Sequence, residues 1–376
     1  MANNLKRTPL YNEHIKLNGK LTEFSGWEMP LWYDAGHKAE HNAVRENVGL
    51  FDVCHMGEFS IKGKNALSFF EKVLTNNVDK LKDGQAQYNF MLNEKGGVVD
   101  DCIVYRMTED RWMLVVNAGD IEGDFEHLKK HCPEGLELEN LSNKTAKIDL
   151  QGPNAPKLLA KLAGKESVEK LGFYKFREGY KVKDIEILIS RTGYTGEIGF
   201  EIYFDANRSA DLWNIFLEEG KELNILPCGL AARDSLRIET GLPLHGHEIH
   251  PDMIALGHPW SFCISDRDNF IGSDALKNGE VDYYIKSFAV DGRRKAMPHY
   301  KVLNENEEVI GEVVSGVMSP TLNNKPIGYC KVKEDLEDGA KLIFTDESGK
   351  RRIEGHTLPT PFVEGLTWRK KMKNFI

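Results

Sequence analysis

Apolar and polar residues alternate along much of the chain, and this pattern predicts short strands with fewer helices between them. Alternating segments at 103–105 and 113–116 lie on either side of a polar loop at 108–110, which predicts a hairpin. A second pair of segments, 185–189 and 201–204, flanks a glycine-rich turn. Apolar residues recur at helical spacing in four other segments, which predicts helices at 65–74, 155–162, 209–223 and 229–240.

The order of these elements predicts the fold class. Strands and helices are mixed without a strict strand–helix–strand rhythm, so an α+β fold is favoured over a doubly wound parallel sheet. After about residue 276 the pattern changes to short strands and turns, for example at 287–290, 312–315 and 341–344. This change predicts a smaller all-β domain at the end of the chain.

Composition narrows the class of protein. The 376 residues carry 49 Lys and Arg against 58 Asp and Glu, a formal net charge of −9, and 41% of residues are hydrophobic. A folded chain of two or three domains is expected, and the acidic balance argues against a partner that is duplex nucleic acid or an anionic membrane. No apolar run is long enough to span a membrane, and the first residues do not resemble a targeting segment.

The six cysteines are scattered singly, without CxxC spacing. This spacing argues against a zinc ribbon or a thioredoxin-type redox motif and favours reduced thiols. We therefore expect a soluble protein of the cytoplasm.

The first segment that could carry chemistry contains two adjacent acids, Asp100 and Asp101, at the start of a predicted strand. Side chains alternate along a strand, so Asp101 shares a face with Tyr105. If the hairpin is symmetric about Glu109, Asp101 lies opposite Asn117, and an acid beside an amide donor could handle protons. The alternative is that both acids are solvated, and on this register Asp100 points to the opposite face.

A second segment, 191–201, contains three glycines with GxxGxxG spacing. A strand rather than a helix follows, which removes the helix N-terminus that a pyrophosphate would need. A wide hairpin turn is favoured. Its polar and aromatic residues, such as Tyr194, either line a ligand pocket or are purely structural.

A third segment, the predicted helix at 229–240, places Arg233 and Arg237 on one face, four residues apart. Two arginines in this arrangement can bind carboxylates through paired hydrogen bonds. The alternative is a surface row of ion pairs with Asp234 and Glu239.

A cluster of histidines follows at His245, His247, His250 and His258. Its spacing matches no common metal-binding motif, so we expect no metal site.

Many ordered motifs together resemble the aminomethyltransferase family, the T-protein of the glycine cleavage system. In the first 280 residues the matching motifs are TPLYNEH at Thr8, FSGWEMPLWY at Phe24, AVRENVGLFDVCHMGEF at Ala43, QYNFMLNEKGGVVDDCIVYRM at Gln87, VVNAGDIEGDF at Val115, LQGPNAPKLL at Leu150, RTGYTGEIGFEIY at Arg191, CGLAARDSLRIETGLPLHG at Cys228 and NFIGSDAL at Asn269. VDGRR and SGVMSPTLNNKPIGY follow nearer the end. The resemblance is specific because it runs nearly end to end and in order.

The resemblance implies a three-lobed fold, in which residues 1–280 form two interleaved α+β lobes and residues 281–376 form a β-barrel-like domain. Tetrahydrofolate would bind in the central opening. The implied reaction cleaves an aminomethyl group held on the lipoyl arm of the H-protein, passes its one-carbon unit to tetrahydrofolate and releases ammonia.

The resemblance also assigns site residues. Asp101 matches the catalytic aspartate, Asn117 the amide that faces it and Tyr88 an aromatic gate. The remaining matches are Glu201, which would hold the pterin ring, Tyr194, which would line the same pocket, and Arg233, which would contact the folate. Tyr105 is expected to pack with the other tyrosines against the rings, because aromatic faces suit such contacts.

Three segments depart from the family pattern. The tail tyrosine that helps close the folate site is replaced by Thr367 or Trp368, depending on register, and we expect Trp368 to take over its role rather than belong to a frayed terminus. A usual Leu-Tyr-Gly segment has His245 at its centre, and the segment after VDGRR is eroded. These departures affect the one-carbon donor more than the folate.

Two other functions therefore remain open from sequence. One is a paralogous tetrahydrofolate-dependent demethylase that acts on a small methylated sulfonium or amine compound. The other is a folate-binding factor of iron–sulfur assembly, although the KGCxxGQE-type segment of that family is missing from this sequence.

Overall fold

The computed structural model describes residues 5–376, and its helices lie close to the predicted positions. The α-helices are α1 Tyr11–Lys16, α2 His37–Glu46, α3 Ala66–Val73, α4 Ile121–His131, α5 Ala155–Ala163, α6 Lys165–Val168, α7 Ser209–Glu219, α8 Leu230–Thr240 and α9 Ser273–Asn278. Short 3₁₀ turns lie at Val78–Lys80, Ala206–Arg208, Lys221–Leu223, Pro259–Cys263 and Met372–Asn374. All four predicted helices are present.

One predicted helix is shorter than expected. The segment 209–223 is α7 followed by the 3₁₀ turn Lys221–Leu223, because the helix ends at Gly220. A Cβ atom at Gly220 would lie 2.7 Å from a methyl group of Ile225, so the chain can pass so close only with glycine there. Gly241 ends α8 with φ +90°, as predicted for a helix C-terminus.

The strands account for most of the regular structure. They are β1 Lys20–Phe24, β2 Trp27–Trp32, β3 Val48–Asp52, β4 Gly57–Lys62, β5 Gln85–Leu92, β6 Val98–Thr108, β7 Arg111–Val116, β8 Glu137–Asn140, β9 Thr145–Gln151, β10 Phe176–Val182, β11 Ile185–Ser190, β12 Gly199–Asp205, β13 Ile225–Cys228, β14 Tyr284–Val290, β15 Lys301–Leu303, β16 Val309–Ser319, β17 Lys325–Val332, β18 Lys341–Thr345 and β19 Arg352–Thr357. Both predicted hairpins, β6–β7 and β11–β12, are present.

Two sheets interleave in the first part of the chain. Strands β10-β11-β12-β9-β3-β13 form a six-stranded sheet, and β5-β6-β7-β4-β8 form a five-stranded sheet. The five-stranded sheet is built from the chain between β3 and β9, two strands that pair with each other in the six-stranded sheet. This topology confirms the α+β class and the two interleaved lobes.

The last part of the chain forms a closed barrel with strand order β14-β17-β16-β15-β18-β19. It confirms the all-β segment predicted from the short strands. Helix α8 contacts the barrel through Glu239, whose carboxylate accepts hydrogen bonds from Ser319 Oγ at 2.6 Å and Thr321 Oγ1 at 2.7 Å.

Separate apolar cores support the lobes. Leu158 of α5 and Trp213 of α7 pack with the six-stranded sheet, and Phe69 and Phe70 of α3 pack with the five-stranded sheet. A third core joins β5 to the barrel. Within residues 5–376, no helix has both the length and the apolar character needed to cross a membrane.

Candidate active site

Asp101 lies on β6, and its neighbour across the hairpin is Asn117. The pairing of Ile103 with Val115, continued by two residues, brings Asp101 opposite Asn117. Asn117 Nδ2 donates a hydrogen bond to Asp101 Oδ1 at 2.7 Å. The predicted position of Asn117 beside Asp101 is therefore confirmed.

Tyr88 of β5 fixes the second oxygen of the same carboxylate. Its hydroxyl donates to Asp101 Oδ2 at 2.9 Å. Each carboxylate oxygen of Asp101 thus has its own side-chain donor, one from β5 and the other from the residue directly after β7, on the two sides of β6. Such fixed hydrogen bonds hold a charged group in one orientation.

Asp100 is not solvated, which excludes for this residue the alternative that the sequence left open. It points to the other face of β6 but is only 2% exposed. Its carboxylate accepts hydrogen bonds from the backbone N–H of Asn117 and from Asn117 Nδ2, both at 2.8 Å. Strand β6 packs against α4 on that face. Asp100 is therefore buried and hydrogen-bonded, although the sequence pattern was also compatible with a solvated acid.

Three neighbouring acids, Asp100, Asp101 and Asp124, shift one another's pKa values. Burial and the charge of Asp100 raise the pKa of Asp101 to about 7, against the opposing effects of His245 and the hydrogen bonds from Tyr88 and Asn117. Burial also raises the pKa of Asp100 and, together with the Asp100 charge, raises the pKa of Asp124 to about 10. Asp101 can therefore exchange a proton near neutral pH, which is the useful range for an acid–base group.

Asp101 faces a cavity of about 130 Å³, referred to below as the inner cavity. Residues of its wall that carry polar groups or rings are Phe24, His55, Tyr88, Asp101, Asn117, Tyr174, Tyr194, Glu201, Arg233 and His245. A larger, open cavity of about 510 Å³, the outer cavity, adjoins it, since Phe24, Tyr194, Arg233 and Leu244 line both. Flat aromatic walls with a few charged groups suit a planar heteroaromatic ligand.

Glu201 of β12 lies at the wall of the inner cavity and forms an ion pair with the buried Lys147. Its Oε1 atom is 2.6 Å from Lys147 Nζ, and its Oε2 atom accepts hydrogen bonds from the hydroxyls of Thr192 and Tyr105. Burial alone would raise the pKa of Glu201, but Lys147, together with the Thr192 hydrogen bond and the Arg233 charge, outweighs it, and the net shift of the pKa is downward. Glu201 is therefore an anion with acceptor capacity left for a ligand.

Tyr105 does not contact the cavity, contrary to the prediction. Its side chain is fully buried beneath Glu201, with its hydroxyl 3.2 Å from Glu201 Oε2 and 3.0 Å from the hydroxyl of Tyr203. The alternation along β6 correctly put Tyr105 on the face of Asp101. The six-stranded sheet, however, covers that face farther along the strand, so Tyr105 supports Glu201 instead of contacting a ring.

Arg233 and Tyr194 lie together where the two cavities join. The guanidinium of Arg233 lies 4.6 Å from the centre of the Tyr194 ring and donates to Asp149 Oδ2 at 2.8 Å. Arg237 also lines the outer cavity, but its guanidinium is buried and pairs with Glu248 and Asp234, each at 2.8 Å. Of the alternative row of ion pairs, the Arg237–Asp234 pair is present at 2.8 Å, but Arg237 is buried, and Glu239 pairs with Arg45 of α2 rather than with either arginine.

Trp368 does not line either cavity. Its ring packs on Phe173 at 5.6 Å, and its backbone oxygen accepts a hydrogen bond from Arg191 Nη2 at 2.9 Å. The tail is nevertheless anchored, since Thr367 Oγ1 accepts from the backbone N–H of Ile198 at 2.7 Å. The tail thus supports the 191–198 turn from outside.

Two histidines at the inner cavity were not predicted as site residues. His55 is buried, its Nδ1 atom has no hydrogen-bond partner, and burial lowers its pKa to about 3, so its ring is neutral. His245 has its Nδ1 atom 3.7 Å from Asp100 Oδ1. The sequence feature that could have identified His55 is its position in the FDVCHM motif, three residues after the buried strand β3. Across residues 5–376, no group of three or more His, Cys, Asp or Glu side chains could hold a metal ion.

The fold and the cavity define a class of protein: an α+β chain with a C-terminal barrel, whose central cavity presents a fixed, titratable carboxylate among aromatic side chains. The GCVT N-terminal domain family matches residues 10–265, and the glycine cleavage T-protein C-terminal barrel domain family matches residues 285–364. The chain therefore belongs to the glycine cleavage T-protein family, which confirms the resemblance seen in its sequence.

Comparison with individual proteins supports the same family assignment. The chain is 41% identical over 363 residues to an aminomethyltransferase of Geobacillus sp. (strain WCH70), covering 95% of this chain and 98% of that protein. It is 43% identical over 334 residues to an aminomethyltransferase of Caldanaerobacter subterraneus subsp. tengcongensis, covering 88% of each. The crystal structure of glycine cleavage system aminomethyltransferase T from Bartonella henselae superposes with a TM-score of 0.89 at 31% identity, covering 98% of this chain and all of that one.

Proposed function

We propose that this enzyme transfers the one-carbon unit of an aminomethyl group, carried on the lipoyl arm of the H-protein, to tetrahydrofolate and releases ammonia. The general activity, aminomethyl transfer in the glycine cleavage system, follows from membership of the family and from relatives named aminomethyltransferase. The observation that carries the detailed proposal is Asp101, fixed by Tyr88 and Asn117 at the wall of an aromatic cavity.

Asp101 is the proposed catalytic residue. Two bonds of the one-carbon unit break, the C–N bond with release of ammonia and the C–S bond with return of the lipoyl thiol, and the two protons lost by the folate nitrogens end on these two leaving groups. Positive charge develops on the carbon as each bond breaks, and a fixed carboxylate beside it lowers the energy of that transition state. A carboxyl with a pKa of about 7 can also accept the proton that the attacking nitrogen loses. Tyr88 and Asn117 are positioning residues, since they hold both oxygens of Asp101 in place.

The inner cavity suits the pterin of tetrahydrofolate, whose nitrogen atoms accept the one-carbon unit. The pterin edge presents adjacent N–H donors, which a carboxylate such as Glu201 can accept. The unpartnered Nδ1 of the neutral His55 is a further buried atom that a ligand could satisfy. Tyr194 supplies a ring at the junction with the outer cavity, where the Arg233 cation suits the folate carboxylates.

The proposal extends to partner, compartment and domains. The lipoylated H-protein would be the macromolecular partner, and the cytoplasm the compartment. We propose residues 1–280 as the folate-binding domain and 281–376 as the barrel domain, a division supported by the closed barrel that begins with β14. No observation favours the demethylase or the iron–sulfur assembly factor.

The test is a pair of assays on the purified protein. Aminomethylated H-protein and tetrahydrofolate should give ammonia and methylene-tetrahydrofolate in equal amounts, and a panel of methylated sulfonium and amine compounds should give neither. Turnover of a methylated compound without turnover of the H-protein donor would overturn the proposal.

A further inference from the structure

A third cavity, of about 520 Å³, lies between the segment 165–172 and the segment 371–376, and it is called the tail cavity below. Among residues 5–376 it shares no lining residue with the inner or the outer cavity. Its charged side chains are one acid, Glu169, and five cations, Lys165, Lys170, Arg191, Lys371 and Lys373. The wall therefore has a surplus of four positive side chains, although the chain as a whole has a net charge of −9.

The cations of the tail cavity lack acidic partners. Across the described residues 5–376, none of the five forms an ion pair with an Asp or Glu side chain, and Glu169 pairs with no cation. The four lysines are exposed, but they face one cavity, so their mutual repulsion is unfavourable and an anion between them would relieve it. A terminal carboxylate at Ile376, which also lines the cavity, would reduce the surplus only to three.

Arg191 differs from the lysines because it is buried, with only 5% of its surface exposed. Its Nη1 atom donates to the backbone oxygen of Leu171 at 2.8 Å, and its Nη2 atom donates to those of Trp368 at 2.9 Å and Lys370. Its Nε atom is buried and has no hydrogen-bond partner within residues 5–376. A buried guanidinium without a carboxylate is unfavourable, and burial accordingly lowers the pKa of Arg191. An anion in the tail cavity would supply the missing negative charge.

We propose that the tail cavity binds a small molecule with two phosphate groups, held by Arg191 and by lysines on both sides of the cavity. A phosphate group carries about 1.5–2 negative charges near pH 7, so two of them match a surplus of three or four cations. Carboxylates carry one charge each, and three or four would have to fit into the same volume. The tail cavity is separate from the proposed site of aminomethyl transfer, so this inference does not depend on the proposed function.

The bound anion would join two separate parts of the chain. Lys165 belongs to α6, whereas Lys373 belongs to the 3₁₀ turn Met372–Asn374 near the end of the tail. Arg191 lies between them and already bonds the tail backbone. An anion that contacts all three residues should therefore hold the tail against the segment 165–172, which predicts slower hydrogen exchange in both places.

The test is isothermal titration calorimetry of the full chain with pyrophosphate, at fixed ionic strength and without divalent cations. We expect one pyrophosphate to bind per chain. Lys170→Gln combined with Lys371→Gln should weaken binding about tenfold, because two cations are lost, and Glu169→Gln should tighten it about threefold, because the only acid is lost. Lys64→Gln combined with Lys333→Gln is the matched control. It removes two exposed lysines outside the cavity and should bind as the unaltered protein does.

Two further measurements identify the place and the class of ligand. With pyrophosphate bound, hydrogen exchange should slow at 165–172 and 370–376 but not in the barrel strands. Citrate, which has three carboxylates, should bind at least about tenfold more weakly than pyrophosphate at the same ionic strength. Absence of pyrophosphate binding to the unaltered protein would overturn the inference, as would equal weakening in the control pair or slower exchange only outside the two segments. Citrate that binds as tightly as pyrophosphate would overturn the assignment to phosphates.

Discussion

At the scale of single residues, Asp100 and Asp101 are adjacent and share Asn117 as a hydrogen-bond donor, yet their side chains lie on opposite faces of β6. Asp101 faces the inner cavity, whereas Asp100 is buried. The two acids should therefore respond differently to the same substitution.

Asp101→Asn should lower kcat by about 10²–10⁴-fold, since it removes the charge that stabilises the transition state but keeps the size of the side chain. Folate affinity, measured by fluorescence quenching, should change little. Asp100→Asn is the matched control. It should lower kcat less and should also lower the thermal unfolding temperature, because Asp100 holds the backbone N–H and side chain of Asn117. An inactive Asp100→Asn beside an active Asp101→Asn would contradict the assignment.

Glu201 has two roles, so its substitution should have two effects. Glu201→Gln leaves Lys147, which is fully buried, without its carboxylate and should cost about 3–5 kcal/mol of stability. It should also weaken folate binding by about 1–3 kcal/mol. Adding Lys147→Met should recover stability but not folate affinity. Urea unfolding measures the stability and a folate titration measures the affinity. Recovery of both quantities in the double variant would show that Glu201 acts only through the fold.

At the scale of secondary-structure elements, α8 joins the lobes to the barrel through a buried carboxylate. Glu239 is fully buried, accepts hydrogen bonds from Ser319 and Thr321 of the barrel domain and pairs with Arg45 of α2 at 2.8 Å. Burial alone would raise the pKa of Glu239, but its hydrogen bond and charge interaction with His41 and the charge of Arg45 lower it to about 2. Glu239 is therefore charged in the folded protein at all ordinary pH values.

Glu239→Gln should reduce the free energy of unfolding by about 2–4 kcal/mol, because Arg45 and two hydroxyls lose a charged acceptor. Urea denaturation measures this change. Glu312→Gln is the control, since Glu312 forms a partly exposed pair with Lys331, and its substitution should change stability by less than about 0.5 kcal/mol. Equal effects of the two substitutions would show that the junction does not depend on Glu239.

Elements with strong local patterns were predictable from the sequence. The end of α8 at Gly241 was predictable because it depends on one glycine next to the helix. The position of Asn117 beside Asp101 was predictable because a short hairpin loop sets the register of β6 with β7. Contacts between lobes were not predictable in this way. Whether Tyr105 meets a ligand depends on the six-stranded sheet that covers it, and whether Trp368 meets one depends on how the tail crosses the 191–198 turn.

At the scale of the whole molecule, the packing of α4 against β6 brings three acids from two elements into one titrating group, of which only Asp101 faces the inner cavity. Asp100, Asp101 and Asp124 interact with one another and with His245, so measured pKa values belong to the cluster rather than to one residue. If the reaction needs Asp101 as an anion, kcat/KM should rise with pH between about 6 and 8, around the pKa of about 7.

Tyr88→Phe tests the origin of this pH dependence. The Tyr88 hydrogen bond lowers the pKa of Asp101, so its removal should move the rising limb of the pH profile to higher pH. Asp101→Asn should remove the limb and leave a low, flat profile. A profile that stays in place in Tyr88→Phe, or one that falls with rising pH in the unaltered enzyme, would contradict the role given to Asp101.

The central claim is that this chain passes a one-carbon unit from the H-protein to tetrahydrofolate at Asp101. The most direct measurement is a single-turnover reaction of the enzyme with aminomethylated H-protein and tetrahydrofolate, following ammonia and methylene-tetrahydrofolate together. We predict equal yields of both products from the unaltered enzyme and a rate at least about 10²-fold lower from Asp101→Asn. Absence of methylene-tetrahydrofolate with the unaltered enzyme, or an undiminished rate in Asp101→Asn, would contradict the account.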